Sequence, residues 1–168
     1  AMAVAFAAAP IAGQNFGAGA YGRVRETFRQ TALIGSGIMI TLSILCHVAP
    51  ALLARPFTDD PEVIAVTTDY LQITSWNFVA SGIVMAASSL FQGMGDTRPS
   101  LLASASRLFT FALPAAWLSF QPWMELKHVW FLSVFSVALQ CVLSIWLLLR
   151  TMKRKLGVAP LSAAQTPA

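Results

Sequence analysis

The residues able to do chemistry in this chain are few and lie far apart. His47, Asp69 and Arg107 are ionisable groups inside or near the ends of apolar runs, and Asn77 is an amide in the middle of one. Histidine is the side chain suited to passing protons near neutrality. A carboxylate or guanidinium within an apolar run suits ion coupling or a charged path. Each also has a plainer reading. His47 has no carboxylate on its own helix and serves equally as a hydrogen-bonded packing residue. Asp69 lies about one to two turns inside its run, where an interface carboxylate would sit. Arg107 is within about two turns of the end of its run and can snorkel. No G-x-S-x-G, H-E-x-x-H or paired-acid constellation occurs, and His47 and His128 have no serine elbow or ligand cluster beside them. The expectation is a protein that is not an enzyme and binds no cofactor. Cys46 and Cys141 lie within apolar runs and read as small buried hydrophobes.

The densest set of polar side chains is Tyr70, Thr74, Asn77, Ser81, Ser88 and Gln92, at spacings of 4, 3, 4, 7 and 4. At about 100° per residue these fall in one narrow stripe of a helix. Lipid offers polar groups no partners, so the stripe must face other helices or a wet cavity. A packing seam of small hydroxyl residues and a cavity lining both fit. Asn77 strains the seam reading most, because its amide demands several partners. Weaker stripes combine Ser36, Ser43 and His47; Ser133, Ser136, Gln140 and Ser144; and Arg107, Thr110, Pro114 and Gln121. Pro114 removes an intrahelical hydrogen bond and is expected to bend its helix.

The elements that carry these stripes follow from composition. Of 168 residues, 57% are hydrophobic and 11% charged, against roughly 25% charged in a soluble domain. A spanning helix needs about 20 mostly apolar residues. Four stretches qualify: Thr31 to Ala54, Val63 to Leu90, Leu101 to Phe120 and Val129 to Leu149. Ala1 to Ala12 is apolar but short, and reads as the last half of a helix that begins upstream. The expectation is an all-α, polytopic membrane protein. It has four full transmembrane helices plus the end of a fifth in residues 1–155, and a disordered tail over 156–168. The chain would then be the C-terminal portion of a larger protein.

Charge gives an orientation. Arg23, Arg25, Arg29, Arg98, Arg107, Arg150, Lys153, Arg154 and Lys155 gather on one side, leaving Arg55 and Lys127 on the other. Basic residues stay cytoplasmic, which places the C-terminus inside. The net charge of +4 is spread along membrane edges, not over one soluble face, so nucleic acid is not an expected partner. "FQGMGDTRPSL" (Phe91 to Leu101) lacks the lysine of a phosphate loop. It reads as a tight turn between spans. Gly93 or Gly95 takes the left-handed conformation, Asp96 or Thr97 caps the next helix, and Pro99 sits in its first turn.

"GQNFGAGAYGRVRE" (Gly13 to Glu26), "YLQI" (Tyr70 to Ile73), "FQGMGDTRPSL" and the pair Arg107 and Pro114 resemble, in order and spacing, the multidrug and toxic compound extrusion (MATE) family. The resemblance covers residues 1 to about 155, from the end of the eighth of that family's twelve helices to the twelfth. It implies a secondary antiporter of the bacterial inner membrane. Two six-helix bundles would face each other and use inward Na+ or H+ flow to expel cationic, amphipathic compounds. The implied partners are the bilayer, the N-terminal lobe of the same transporter and small-molecule substrates. Asn77, Ser81, Thr74, Tyr70, Gln92 and Arg107 become pathway candidates, with Asp69 and His47 weaker ones. One sodium-coupled branch of the family carries a carboxylate at about the position of Ser81, and a serine cannot hold that charge. Two other readings stay open: a lipid-linked oligosaccharide flippase of the same superfamily, and a small membrane scaffold that does not transport.

Overall fold

The computed structural model describes residues 1–156. Every regular element among them is helical. Of the tail expected to be disordered over 156–168, Leu156 is the last residue of a helix and the rest lies outside the described residues. The elements are α1 (Met2–Gly17), α2 (Tyr21–Val48), α3 (Pro50–Ala54), α4 (Pro61–Thr74), α5 (Trp76–Gly93), α6 (Arg98–Arg107), a π-helical stretch (Leu108–Ala112), α7 (Leu113–Ser119) and α8 (Leu126–Leu156). Three units are long and apolar enough to span a bilayer alone: α2, the continuous rod from Arg98 to Ser119, and α8. The pair α4 and α5 passes the same test together, and counts as a fourth span, bent by 46°, when taken as one unit.

Several boundaries differ from the sequence reading. The first span starts ten residues earlier, at Tyr21 rather than Thr31, so Arg23, Arg25 and Arg29 lie on helix, not in a link. A membrane helix continues past the hydrocarbon edge because its backbone bonds are internal, whereas a hydropathy window stops at the first cluster of charges. The same span ends at Val48. Pro50 cannot donate to a continuing helix, and it opens the separate short α3 instead. The second span is not one straight helix but breaks at Ser75.

Two turns at one end of the bundle are built alike. Among the described residues, Gly19 and Gly95 are the two glycines with positive φ, at 70° and 67°. At the first, the Gly19 N–H donates to the Phe16 carbonyl (3.1 Å) and the Ala20 N–H to that of Asn15 (2.8 Å). At the second, Gly95 donates to Gln92 (3.0 Å) and Asp96 to Phe91 (2.9 Å). Both are Schellman closures, which satisfy the last helical carbonyls and need a residue free of the Cβ penalty. At the second turn the left-handed residue is Gly95 rather than Gly93. Pro99 lies in the first turn of α6, as expected, but no side chain caps that helix. Asp96 turns away to α8, where its Oδ2 lies 3.2 Å from Arg154 Nη2 and 3.4 Å from Lys155 Nζ.

The core lies at this same end. Ala12, Val24, Ala87, Leu90, Phe91, Met94, Leu148 and Met152 form one buried cluster, flanked by Phe16, Tyr21 and Phe28. α5 is the hub, packed on α1 and α2 on one side and on α8 on the other. The stretches bearing "GRVRE" and "MKRK" share this end, since Lys155 Nζ stands 5.7 Å from the centre of the Phe16 ring. Large apolar side chains such as Leu33, Ile44, Phe109, Trp117 and Phe135 project outward, the arrangement a hydrocarbon solvent permits.

Gly93 sits where α5 meets α1. A Cβ placed there would lie 2.5 Å from the Ala9 carbonyl oxygen and 3.0 Å from the Ala12 Cβ. Gly93→Ala is therefore expected to destabilise the bundle by about 1–3 kcal/mol, the usual cost of forced overpacking. Gly17→Ala, where a Cβ meets nothing within 4 Å, is the matched control and should lose nothing. Thermal unfolding in detergent, followed by tryptophan fluorescence, checks both. Equal melting temperatures for Gly93→Ala and wild type would contradict the packing argument.

Candidate functional site

The break in the second span arises from hydroxyl side chains, not from proline or glycine. Thr74 Oγ1 donates back to the Tyr70 carbonyl, and Ser75 Oγ donates to that of Gln72 at 3.2 Å. Such back-bonding competes with the helical ladder and bends helices. The backbone then tightens, with the Phe78 N–H donating to the Ser75 carbonyl at 3.0 Å. A third hydroxyl arrives from α2, as Ser43 Oγ donates to the same Ser75 carbonyl at 3.2 Å. Ser75 is fully buried, at 0% exposure.

His47 completes this junction one turn further along α2. Its Nδ1 lies 2.8 Å from the Ser43 carbonyl and 3.2 Å from Ser75 Oγ. A carbonyl only accepts, so Nδ1 carries the proton, and in a neutral ring Nε2 is left as an acceptor. The imidazole packs edge-on to Trp76, with ring centres 5.4 Å apart. His47, Ser43, Ser75 and Trp76 line a groove of about 650 Å³ whose other walls include Ile40 and Val79. The groove is apolar apart from these few polar atoms, with an indole that is 68% exposed. It offers an aromatic surface edged by a few polar atoms.

On the opposite side of α5 lies the second polar locus. Asn77 Nδ2 donates to Ser133 Oγ on α8 at a long 3.4 Å, while Asn77 Oδ1 is buried without a partner. Ser136, Gln140 and Ser144 continue along α8 as buried residues, and Ser144 Oγ is likewise unpartnered. Nearer the basic end, Ser100 Oγ on α6 donates to Ser88 Oγ at 3.1 Å. Toward the opposite end, Tyr70 packs edge-on to Trp130 of α8 at 5.4 Å.

The stripe read from sequence therefore meets α8 at Tyr70 and Asn77 and α6 at Ser88, as a bent track with one break rather than a straight face. Tyr70, Asn77 and Ser88 find cross-helix neighbours on it. Thr74 bonds within its own helix, Ser81 is half-buried and Gln92 is exposed. The weaker candidates do not converge on Asn77. Asp69 pairs with Lys127 Nζ at 2.7 Å with both side chains about half exposed, a geometry worth little in stability. Arg107 is exposed, with its guanidinium 5.9 Å from the centre of the Phe111 ring. Pro114 does perturb its span, though as a π turn and not a break: the Leu113 N–H reaches back to the Leu108 carbonyl, and α7 starts directly after it. Ser75 is the residue that stripe reasoning passes over. It lies about 200° around the helix from Asn77, off the stripe, and its signal is the adjacent pair of hydroxyls Thr74 and Ser75 in mid-span.

The MatE family model matches residues 1–118, from α1 into α7. No curated protein matches the chain. The match covers well over half of the sequence and spans the broken helix, both Schellman turns and the α1–α5 contact, so the chain belongs to the MatE family of multi-pass membrane transporters.

Proposed function

We propose that this chain works within a secondary antiporter that exports cationic, amphipathic compounds in exchange for Na+ or H+. In this reading it sits in a bacterial inner membrane with its basic end in the cytoplasm, and an N-terminal lobe of the same transporter completes the path. The observation that carries the reading is the track from Tyr70 through Asn77 to Ser88, in a chain of a transporter family. On it a buried amide oxygen lacks a partner. A buried polar atom without a hydrogen bond costs about 1–3 kcal/mol, and such a cost is commonly retained where a ligand or a second conformation supplies the partner. The groove at His47 and Trp76 adds to the case. An exposed indole face attracts organic cations, and the Ile40 and Val79 walls suit an apolar body. The basic end supports the orientation through the positive-inside rule.

Asn77→Ala separates transport from folding. It removes one long hydrogen bond and one unsatisfied oxygen together, so stability should change by less than about 1 kcal/mol. Efflux of a cationic dye such as ethidium from cells carrying the full transporter should fall on the order of tenfold, the equivalent of one lost hydrogen bond to a bound charge. Unchanged efflux of every cation tested would remove Asn77 from the path. Orientation is checked by single cysteines at Arg25 and Lys153 in a background lacking Cys46 and Cys141. Both should react with a membrane-impermeant maleimide only after the cytoplasmic face is opened.

A further inference from the structure

Between α6 and α8, at the basic end, lies a cleft of about 630 Å³ unlike the apolar grooves elsewhere on the bundle. Arg98, Arg150, Arg154 and Lys155 line it together with Asp96. Four cations against one carboxylate leave the cleft strongly positive. The carboxylate is already engaged, its Oδ2 shared between Arg154 and Lys155. Lys155 Nζ also donates to the Met94 carbonyl at 3.1 Å. Arg98 and Arg150 form no ion pair among the described residues. Arg150 rests 5.3 Å over the ring of Trp146, an aromatic placed where interfacial tryptophans anchor membrane proteins.

The floor of the cleft decides the ligand class. About one helical turn deeper than Arg98 is Leu102, and a turn deeper than Arg150 is Leu147, both lining the same cleft. Leu101 and Leu102 are exposed on the flank of α6. The cations therefore ring an opening whose inner walls are apolar and continue into the lipid-facing surface. A free anion would use the ring and leave the apolar walls bare. A molecule with a phosphate head and acyl chains fills both.

We propose that this cleft binds one anionic phospholipid, with Arg98 and Arg150 holding the phosphate and the leucine walls receiving the first part of an acyl chain. Basic pockets between membrane helices favour such head groups, and each arginine near the surface contributes an attraction equivalent to about a fivefold change in affinity. The inference stands apart from the transport reading, since it concerns the outer flank of α6 and α8 rather than the Asn77 track.

Native mass spectrometry of the full chain in mild detergent tests it, with phosphatidylglycerol and phosphatidylcholine added in equal amounts. Wild type should retain one phosphatidylglycerol in preference to phosphatidylcholine. The double variant Arg98→Gln, Arg150→Gln should lose that preference by about thirtyfold. Arg25→Gln, Lys153→Gln removes the same charge from the same end but outside the cleft, and should retain the lipid as wild type does. Circular dichroism confirms equal helix content in all three. Equal loss in the control pair would mean general surface attraction and overturn the site. So would equal retention of phosphatidylcholine by wild type. Displacement of the lipid by millimolar glycerol phosphate or inorganic phosphate would overturn the lipid in favour of a free anion.

Discussion

The close approach of two backbones at Gly93 is the constraint on which the rest of the bundle depends. With no side chain between them, α5 sits directly against Ala9 and Gly13 of α1. In lipid, association cannot draw on expelling water from apolar surface, so close packing of small residues carries much of the attraction. That contact fixes where α5 ends. Leu90 and Phe91 then fall into the cluster with Val24 and Leu148, and the chain must reverse within a few residues. Gly95 permits the reversal, and the reversal delivers Asp96 to the cations of α8. At 14% exposure, this carboxylate is largely withdrawn from water, and paired, hydrogen-bonded cations are what make such a position tolerable. One packing contact, one left-handed glycine and one largely covered acid thus close the same end of the molecule.

The opposite end is organised by a different requirement. A spanning helix that bends inside hydrocarbon must find partners for the backbone groups it frees. Here the partners are three serines and threonines and a neighbouring helix: Thr74 and Ser75 fold back on their own helix, and Ser43 crosses from α2 to the Ser75 carbonyl. The geometry brings His47 to the break as a consequence, since it lies one turn beyond Ser43. The Asn77 amide emerges on the other side of the same helix, against α8. The polar residues of the bundle therefore fall into two loci on opposite sides of this span, Ser75 toward α2 and Asn77 toward α8.

Much of this is legible in the residue order, and the remainder is not for identifiable reasons. The membrane class, the existence of the spans and the end that is basic follow from composition and from the placement of arginines. The turn before α6 follows from its glycines, because only a few residues tolerate positive φ, whereas the like turn at Gly19 is not singled out by that reasoning. The inward direction of the Asn77 stripe follows because lipid excludes the alternative. The break at Ser75 is invisible to this reasoning. Serine and threonine sit well in membrane helices, and whether they bend one depends on the donors that a neighbouring helix presents to the freed carbonyl. The role of Asp96 is hidden likewise: its local context offers a cap, and the ion pairs come from residues about sixty positions later in the chain. Span limits are misread wherever charge continues a helix beyond the bilayer, as at Tyr21, or proline interrupts an apolar run, as at Pro50.

The two ends differ in how firmly they are held, and the difference follows from the same contacts. The basic end joins α1, α2, α5 and α8 through a dry cluster and a partly buried ion network, and tightly packed cores do not deform continuously. The far end holds α4 to α8 by an exposed Asp69–Lys127 pair and an edge-on aromatic contact, both weak and open to solvent or head groups. Between them lie the two irregular points, Ser75 and the π stretch before Leu113, where the helical ladder is already interrupted. Displacing a helix costs least where hydrogen bonds are irregular and packing is loose. Relative movement in this bundle must then concentrate beyond Ser75, with the basic end as its fixed base. The His47 groove and the Asn77 track both lie next to that boundary, so a change in bend at Ser75 would reshape both together.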